Sequence, residues 1–372
     1  MLQKPGRRLR IAQVAPPFLP VPPPRYGGTE RIVSVLADGL HARGHDITVF
    51  ASGDSHVQGR LVPLVRQAHW IAGVHADVDA EMARIVEQVL DYGGDFDVIH
   101  SHIEWYGFDW ARRSATPVVS TLHGRIDIGP TAELIANYPE APLIAISERQ
   151  RAFWPDQNWL ATIYHGLPFE DVPLGGGSGG YLLFVGRLTP EKGVDAAVEL
   201  ARKVGMPLFV AAKAIDDHEK ETYRRDVKPA ELEGVVKFMG EVGPPARDRL
   251  FGEATATAML GNWPEPFGLV AVESLATGTP VIARRAGALP EIIRDGIDGF
   301  IVDSVAEAVA AVPRIRELDR QRIRRDTLRR FSADRMVDDY ERLFLDLVAG
   351  KATQPDAQTA TPTKGRTVLG VP

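Results

Sequence analysis

The sequence predicts an α/β protein of two doubly wound, Rossmann-like domains that face each other across a central cleft. Three observations carry this. A βαβ rhythm runs from about residue 10, breaks near residue 175 at GGGSGG, and restarts at Tyr181. The candidate strands are short and continuously apolar, which suits parallel strands covered on both faces. The chain has 372 residues and 44% hydrophobic content, enough for two domains of ~100–200 residues, each with its own core.

Taken in order, Arg10–Ala15 is the first strand. The loop PPFLPVPPPRYGGTE follows, and apolar periodicity over Ile32–Arg43 marks a helix that Gly44 stops before the strand Asp46–Ala51. A helix near Asp79–Leu90 and strands at Val98–Ser101, Val118–Leu122 and Leu143–Ile146 complete the first unit. Gly175–Gly180 reads as a flexible linker by composition. The second unit has strands at Tyr181–Val185, Leu208–Ala212, Val235–Met239, Ala254–Met259 and Thr279–Ala283. Its helices lie at Gly193–Val204, around Arg247–Gly252 and from near Phe267. Past Phe331, SADRMVDDYERLFLDLV is an amphipathic helix with Ser332 as its cap. The expected organisation is an N-terminal domain at 1–172, a linker at 173–180, a C-terminal domain at 181–331, a closing helix at 332–349 and a disordered tail at 350–372.

Composition removes several function classes. Without cysteine there is no disulfide, thiolate metal site or cysteine nucleophile. A net charge of -6 gives no footprint for nucleic acid. No apolar run approaches the ~20 residues that span a bilayer. The start, MLQKPGRRLRIAQVAPPFLP, reads as a strand entry and not a signal peptide, because its apolar stretch is short and broken by prolines. A cytoplasmic location is the expectation.

Ligands in doubly wound sheets sit outside the carboxyl ends of the strands, so the cleft is the expected site. FVGRLTPEKG (Phe184–Gly193) follows a strand there. Gly186 allows close approach, and Arg187 and Lys192 are cations over a helix start, which together suit a diphosphate. In YGGTE (Tyr26–Glu30), Gly27 and Gly28 expose amides to an anion or a sugar hydroxyl. EPFGLVAVE (Glu265–Glu273) sets an acid on each side of an apolar run. With a helix starting near Phe267, the amides of Phe267, Gly268 and Leu269 are free to bind phosphate or hydroxyl oxygens. Glu265 and Glu273 then reach two sugar rings of one ligand.

These motifs, with DVIHSH, STLHG, ATGTPVIARRAGALPEII and DGIDGF, appear in the order found in the GT-B glycosyltransferases of retaining family 4, and the chain resembles that family over residues ~10–345. The resemblance implies a GT-B fold and transfer of a hexose from a nucleotide-sugar, UDP-linked, to a hydroxyl acceptor with retention. It implies catalytic roles for His123, Arg187, Lys192 and Glu265. Donor contacts would come from Gly27, Gly28, Gly186, Glu241, Phe267, Gly268, Leu269 and Glu273. Tyr26, His102 and Trp105 would lie on the acceptor side. No metal or other cofactor is expected, since cations and helix starts meet the leaving charge. The expected partners are the donor and a small-molecule, glycan or lipid acceptor. The alternatives are a nucleotide-sugar epimerase on the same fold and a donor-binding member without glycosyl transfer.

Other features have plainer readings. Asp95-Phe96-Asp97 resembles a metal-binding D-x-D but precedes a buried strand, so it reads as a strand entry. His100 and His102 share a strand face without a third metal ligand. The arginine-dense stretch Arg314–Arg330 reads as a solvated helix face, with peripheral contact to an anionic membrane as the sharper alternative. Two positions depart from the family: His165-Gly166-Leu167-Pro168 stands where Asn-Gly-Val-Asp is frequent, and Lys213 stands where a glycine pair is common.

Overall fold

The computed structural model describes residues 7–25, 27–73 and 77–350. Tyr26, and the expected tail beyond Gly350, lie outside these residues. In the N-terminal half, β1 (Arg10–Val14), β2 (Asp46–Ser52), β3 (Arg60–Val65), β4 (Val98–Ser101), β5 (Val118–Thr121), β6 (Leu143–Ala145) and β7 (Trp159–Thr162) form one parallel sheet in the order β3-β2-β1-β4-β5-β6-β7. Ile11 of β1 sits between Ile47 of β2 and Val98 of β4, so three apolar side chains share one row. In the C-terminal half, β8 (Leu182–Val185), β9 (Leu208–Ala211), β10 (Val236–Gly240), β11 (Ala256–Met259), β12 (Val281–Arg284) and β13 (Gly299–Val302) form a second parallel sheet, ordered β10-β9-β8-β11-β12-β13.

Three strands escaped the sequence reading, and all three lie at sheet edges. β3 carries Pro63, which breaks a strand pattern and is tolerated where no outer ladder needs its amide. β7 has a single buried residue, Trp159, and β13 opens on a glycine. Central strands are covered on both faces: β1 is buried after Arg10, and β4 and β5 are buried throughout, although each of these two ends in two polar residues.

The helices that matter for the site are α1 (Gly28–Ala42), α2 (Val78–Asp91), α3 (Val194–Val204), α4 (Ala246–Glu253), α5 (Leu269–Ala276), α6 (Arg320–Phe331) and α7 (Ala333–Val348). α7 returns the chain to the first sheet. Its Tyr340 hydroxyl lies 2.9 Å from Thr121 Oγ1, its Val337 faces Gly39 of α1, and its Glu341 accepts from Arg43 at 2.7 Å. One continuous apolar cluster therefore runs from β1 and α1 through α7 to Phe267, Val272 and Leu275 of the second half.

Two compositional readings are corrected. The glycine stretch is not free. Gly177 and Gly179 donate to Gly252 and Glu253 at 2.9 Å, and a Cβ on Gly175 would strike Gly252 at 2.1 Å. The glycines allow close approach to the C-terminal end of α4 rather than slack. The arginine-dense stretch is not simply a solvated face either. Arg320 reaches the carbonyls of Gly175, Gly252 and Ala254, Arg324 that of Ala276, and Arg330 those of Glu291 and Ile292. These three cations bind carbonyl ends inside the fold, while Arg314, Arg316, Arg322, Arg325 and Arg329 are exposed, as a solvated face requires. Among the described residues no helix is long and apolar enough to cross a membrane. Asp97 accepts from the Arg10 amide at 2.8 Å, which makes it a strand-entry residue.

Candidate active site

The strand order of each sheet reverses between β1 and β4, and between β8 and β11. Such switch points open a crevice at the carboxyl ends of the strands. The residues that leave these ends meet across the cleft. A chamber of about 290 Å³ is walled by Gly28, His123 and His165 on one side and by Gly186, Arg187, Lys192, Glu265 and Phe267–Val270 on the other. A second chamber of about 130 Å³ shares Gly28, Gly186, Arg187, Leu269 and Val270 with it, and extends to Lys213, Glu241, Arg247 and Glu273. The shared walls make one groove with two ends.

Two helices aim their N-termini into this groove. α1 follows Gly27 and α5 follows Gly268, and neither has a side-chain cap. Among the described residues, the amides of Gly28 and Thr29 and those of Leu269 and Val270 have no protein acceptor. Uncapped helix starts carry partial positive charge and free N–H groups, which is what an anion needs. α5 begins at Leu269 rather than at Phe267, because Gly268 takes a left-handed turn at φ 104 that only glycine adopts without strain. Phe267 is consequently 3% exposed and packs edge-on against His165 and Phe331 while still contributing to the wall.

Charges around the groove are paired, with an excess of cations. Lys192 Nζ lies 2.6 Å from Glu265 Oε1. Glu273 is held by Arg31 of α1 and, at 2.8 Å, by Arg247 of α4. Glu241 faces Arg25 at 3.5 Å. Six cationic side chains line the two chambers against four carboxylates, so the groove favours an anionic ligand. Glu273 belongs to the smaller chamber and Glu265 to the larger, which separates the two acids along the groove.

On the opposite wall, His123 stacks on His165 at 5.1 Å between ring centroids. His102 does not reach either chamber. It is fully buried behind His123, where its Nε2 donates to Gln13 Oε1 at 2.7 Å and its Nδ1 accepts from His123 Nε2 at 2.9 Å. Burial holds His102 and His165 well below the usual histidine range and brings His123 down to about 3. The wall is thus built of neutral imidazoles. Trp105 lies on neither chamber wall; it packs on Tyr106 at 4.8 Å, because the turn at Glu104–Gly107 directs it into an apolar cluster with Phe108. Tyr26 falls outside the described residues.

Comparison with known proteins matches this architecture. Residues 26–165 match the model of Glycosyltransferase Family 4, and residues 177–334 that of Glycosyl transferases group 1. A D-inositol 3-phosphate glycosyltransferase from Acidothermus cellulolyticus is 30% identical over 356 aligned residues, covering 79% of each chain. This chain is a group 1 glycosyltransferase of the GT-B fold. Solved structures agree on the fold. Sucrose-phosphate synthase from Thermosynechococcus elongatus superposes with a TM-score of 0.77 at 19% identity, covering 92% of this chain and all of that one. Anabaena Alr3699/HepE, in complex with UDP and glucose, gives 0.69 at 18% identity, covering 90% and 99%.

In this glycosyltransferase the structure brings Gly27, Gly28, His123, Gly186, Arg187, Lys192, Glu241, Glu265, Phe267, Gly268, Leu269 and Glu273 to the groove. It adds residues that sequence reasoning passed over. Arg31 and Arg247 clamp Glu273, and Glu219 sits fully buried behind Arg187. Trp263 has Lys192 and Arg125 over its ring at 5.3 and 4.8 Å. Arg31 directly follows YGGTE, so its position on α1 was readable; its partner 242 residues away was not.

Proposed function

We propose that this glycosyltransferase moves a hexose from a UDP-linked donor to a hydroxyl of a small acceptor, with retention and without a metal. One observation carries the reading: two uncapped helix N-termini, one from each domain, converge with Arg187 and Lys192 on a single groove that has an acid at each end. The diphosphate would lie between the helix starts. Glu265 would hold hydroxyls of the hexose, Glu273 the ribose, and His123, with its Nε2–H given to His102, would accept from a hexose hydroxyl through Nδ1 as a neutral imidazole. The names of relatives lend support. One is called a D-inositol 3-phosphate glycosyltransferase, which makes an inositol phosphate the first acceptor to test, and Alr3699/HepE is described in complex with UDP and glucose.

The chemistry balances without a covalent enzyme intermediate. The bond between the anomeric carbon and the bridging phosphate oxygen breaks, and its electron pair stays on the diphosphate. The acceptor oxygen bonds to the anomeric carbon from the same face, and its proton passes to the departing phosphate. Arg187, Lys192 and the helix starts stabilise the charge that builds on the leaving oxygen. Loss of one such donor costs roughly two to three orders of magnitude in turnover.

A thermal-shift screen of nucleotide sugars identifies the donor, because bound ligand raises stability by mass action. Product analysis with inositol phosphates follows. Lys192→Ala lowers kcat by ~100–1,000-fold, and chelator leaves the wild-type rate unchanged. Conversion of the donor sugar in the absence of any acceptor would favour an epimerase instead. Donor binding with equally negligible turnover in wild type and Glu265→Ala would favour a binding protein.

A further inference from the structure

We propose that Gln13 and His102 are positioning residues that fix neutral His123 as its Nε2–H tautomer and turn the lone pair of Nδ1 to the groove. This deepens the donor reading above and rests on the role given there to His123. Three neighbouring central strands supply the relay. Gln13 stands on β1, His102 directly follows β4, and His123 follows β5.

Gln13 and His102 are both 0% exposed, an uncommon setting for polar side chains. Their backbones are held by the sheet. Gln13 is registered between Val49 of β2 and His100 of β4, and the His102 amide donates to the Val14 carbonyl at 2.9 Å. His100 is engaged elsewhere, with its Nε2 2.7 Å from Thr121 Oγ1. The Gln13 carboxamide therefore serves His102, whose Nε2 donates to its Oε1 at 2.7 Å.

A neutral imidazole has one N–H and one lone pair, and the partner of one nitrogen sets the state of the other. With its proton spent on Gln13, His102 offers only the Nδ1 lone pair, which accepts from His123 Nε2 at 2.9 Å. His123 then has no proton left for Nδ1. Among the described residues Nδ1 of His123 has no protein partner, and unlike the unpartnered Nδ1 atoms of His100 and His165 it is not buried. His123 walls the larger chamber, so this nitrogen is the one the groove meets. Burial keeps both rings neutral, which preserves the order of protons along the relay. Turning the Gln13 carboxamide end for end would reverse every step and place the proton on Nδ1. Gln13 thus decides, from behind the wall, whether the groove meets an acceptor or a donor. As an acceptor, Nδ1 takes an O–H of the hexose and disfavours a carboxylate or keto oxygen at the same place.

The test is nitrogen NMR of the full chain labelled with 15N-histidine, with the His123 signals identified by their loss in His123→Ala. In wild type, Nε2 of His123 is expected to carry the proton and Nδ1 to be bare. Gln13→Met and His102→Leu are expected to abolish that single tautomer and to lower kcat by roughly three- to tenfold, the scale of one hydrogen bond, with the KM for donor little changed. His102→Asn, whose Oδ1 stands about where Nδ1 was, is expected to restore both. Melting temperatures check that each variant folds. A proton on Nδ1 in wild type, or an unchanged tautomer in folded Gln13→Met and His102→Leu, overturns the relay. So does turnover within twofold of wild type in variants whose tautomer has changed, provided that His123→Ala is impaired. Wild-type turnover in His123→Ala instead removes His123 from the donor reading, while the spectrum still judges the relay.

Discussion

Glu104 shows how much one residue can hold. It is the one non-glycine residue at positive φ among those described, at 52°. Such a backbone costs on the order of 1–3 kcal/mol and persists only where its surroundings fix it. Its Oε1 accepts from the amides of both His123 and Gly124 at 3.0 Å, which sets the loop that carries His123 to the groove. Burial pushes its carboxyl up to about 7, and its Oε2 is buried without a partner. Replacing Glu104 by alanine should strip both amides of their acceptor and cost about 1–3 kcal/mol, with a clear loss of turnover. Glu104→Gln keeps the acceptor oxygen and should keep most of both. Denaturant unfolding and initial rates measure this, and wild-type turnover in Glu104→Ala would remove Glu104 from the site's support.

At the scale of elements, the N-termini of α1 and α5 open on the groove, and the other end of α5 is tied down. Arg324 of α6 donates to the Ala276 carbonyl at the end of α5 at 2.7 Å, a cation where the helix end is negative. The open start of α1 gives a direct test. A Cβ at Gly28 would meet only Leu269 Cδ1 at 3.5 Å, an ordinary contact. Gly28→Asp should therefore fold, with a carboxylate that suits the helix dipole but occupies the anion site. Its melting temperature should stay within a few degrees of wild type, while the shift induced by a nucleoside diphosphate disappears. Retention of that shift would mean that the diphosphate does not sit at α1.

For the whole molecule, the buried imidazoles set the acid limit. His100, His102, His123 and His165 all have depressed values, held there chiefly by burial. A depressed histidine contributes stability that is complete above the unfolded value near 6.5 and is lost as pH falls through the folded value. Glu30 and Glu104, raised to about 7, act the other way, since their contribution is present below about 4.5 and is lost as pH rises to 7. Four groups oppose two, so between pH 6.5 and 4.5 stability should fall with pH. Urea midpoints across that range test it, and a flat profile would mean that the imidazoles are not buried neutral. The same cluster ties the halves together, because His100 lies 2.7 Å from Thr121, which meets Tyr340 of α7.

The sequence by itself determined the two-unit α/β plan and most of the groove. Central strands, buried on both faces, carry a continuous apolar signal, and the glycines and charges at their ends are local features. Edge strands β3 and β7 were hidden because one free side relaxes the pattern, and β13 because it is only four residues long and opens on a glycine. Only the tertiary structure decided which charge meets which. Arg31 finds Glu273, Glu219 draws Arg187 and Lys213 together, and Arg320, Arg324 and Arg330 turn inward to carbonyls. Pairing depends on where separate elements end in space, and a buried charge is bearable only beside its partner. That information resides in packing between distant segments, and no short stretch of sequence contains it.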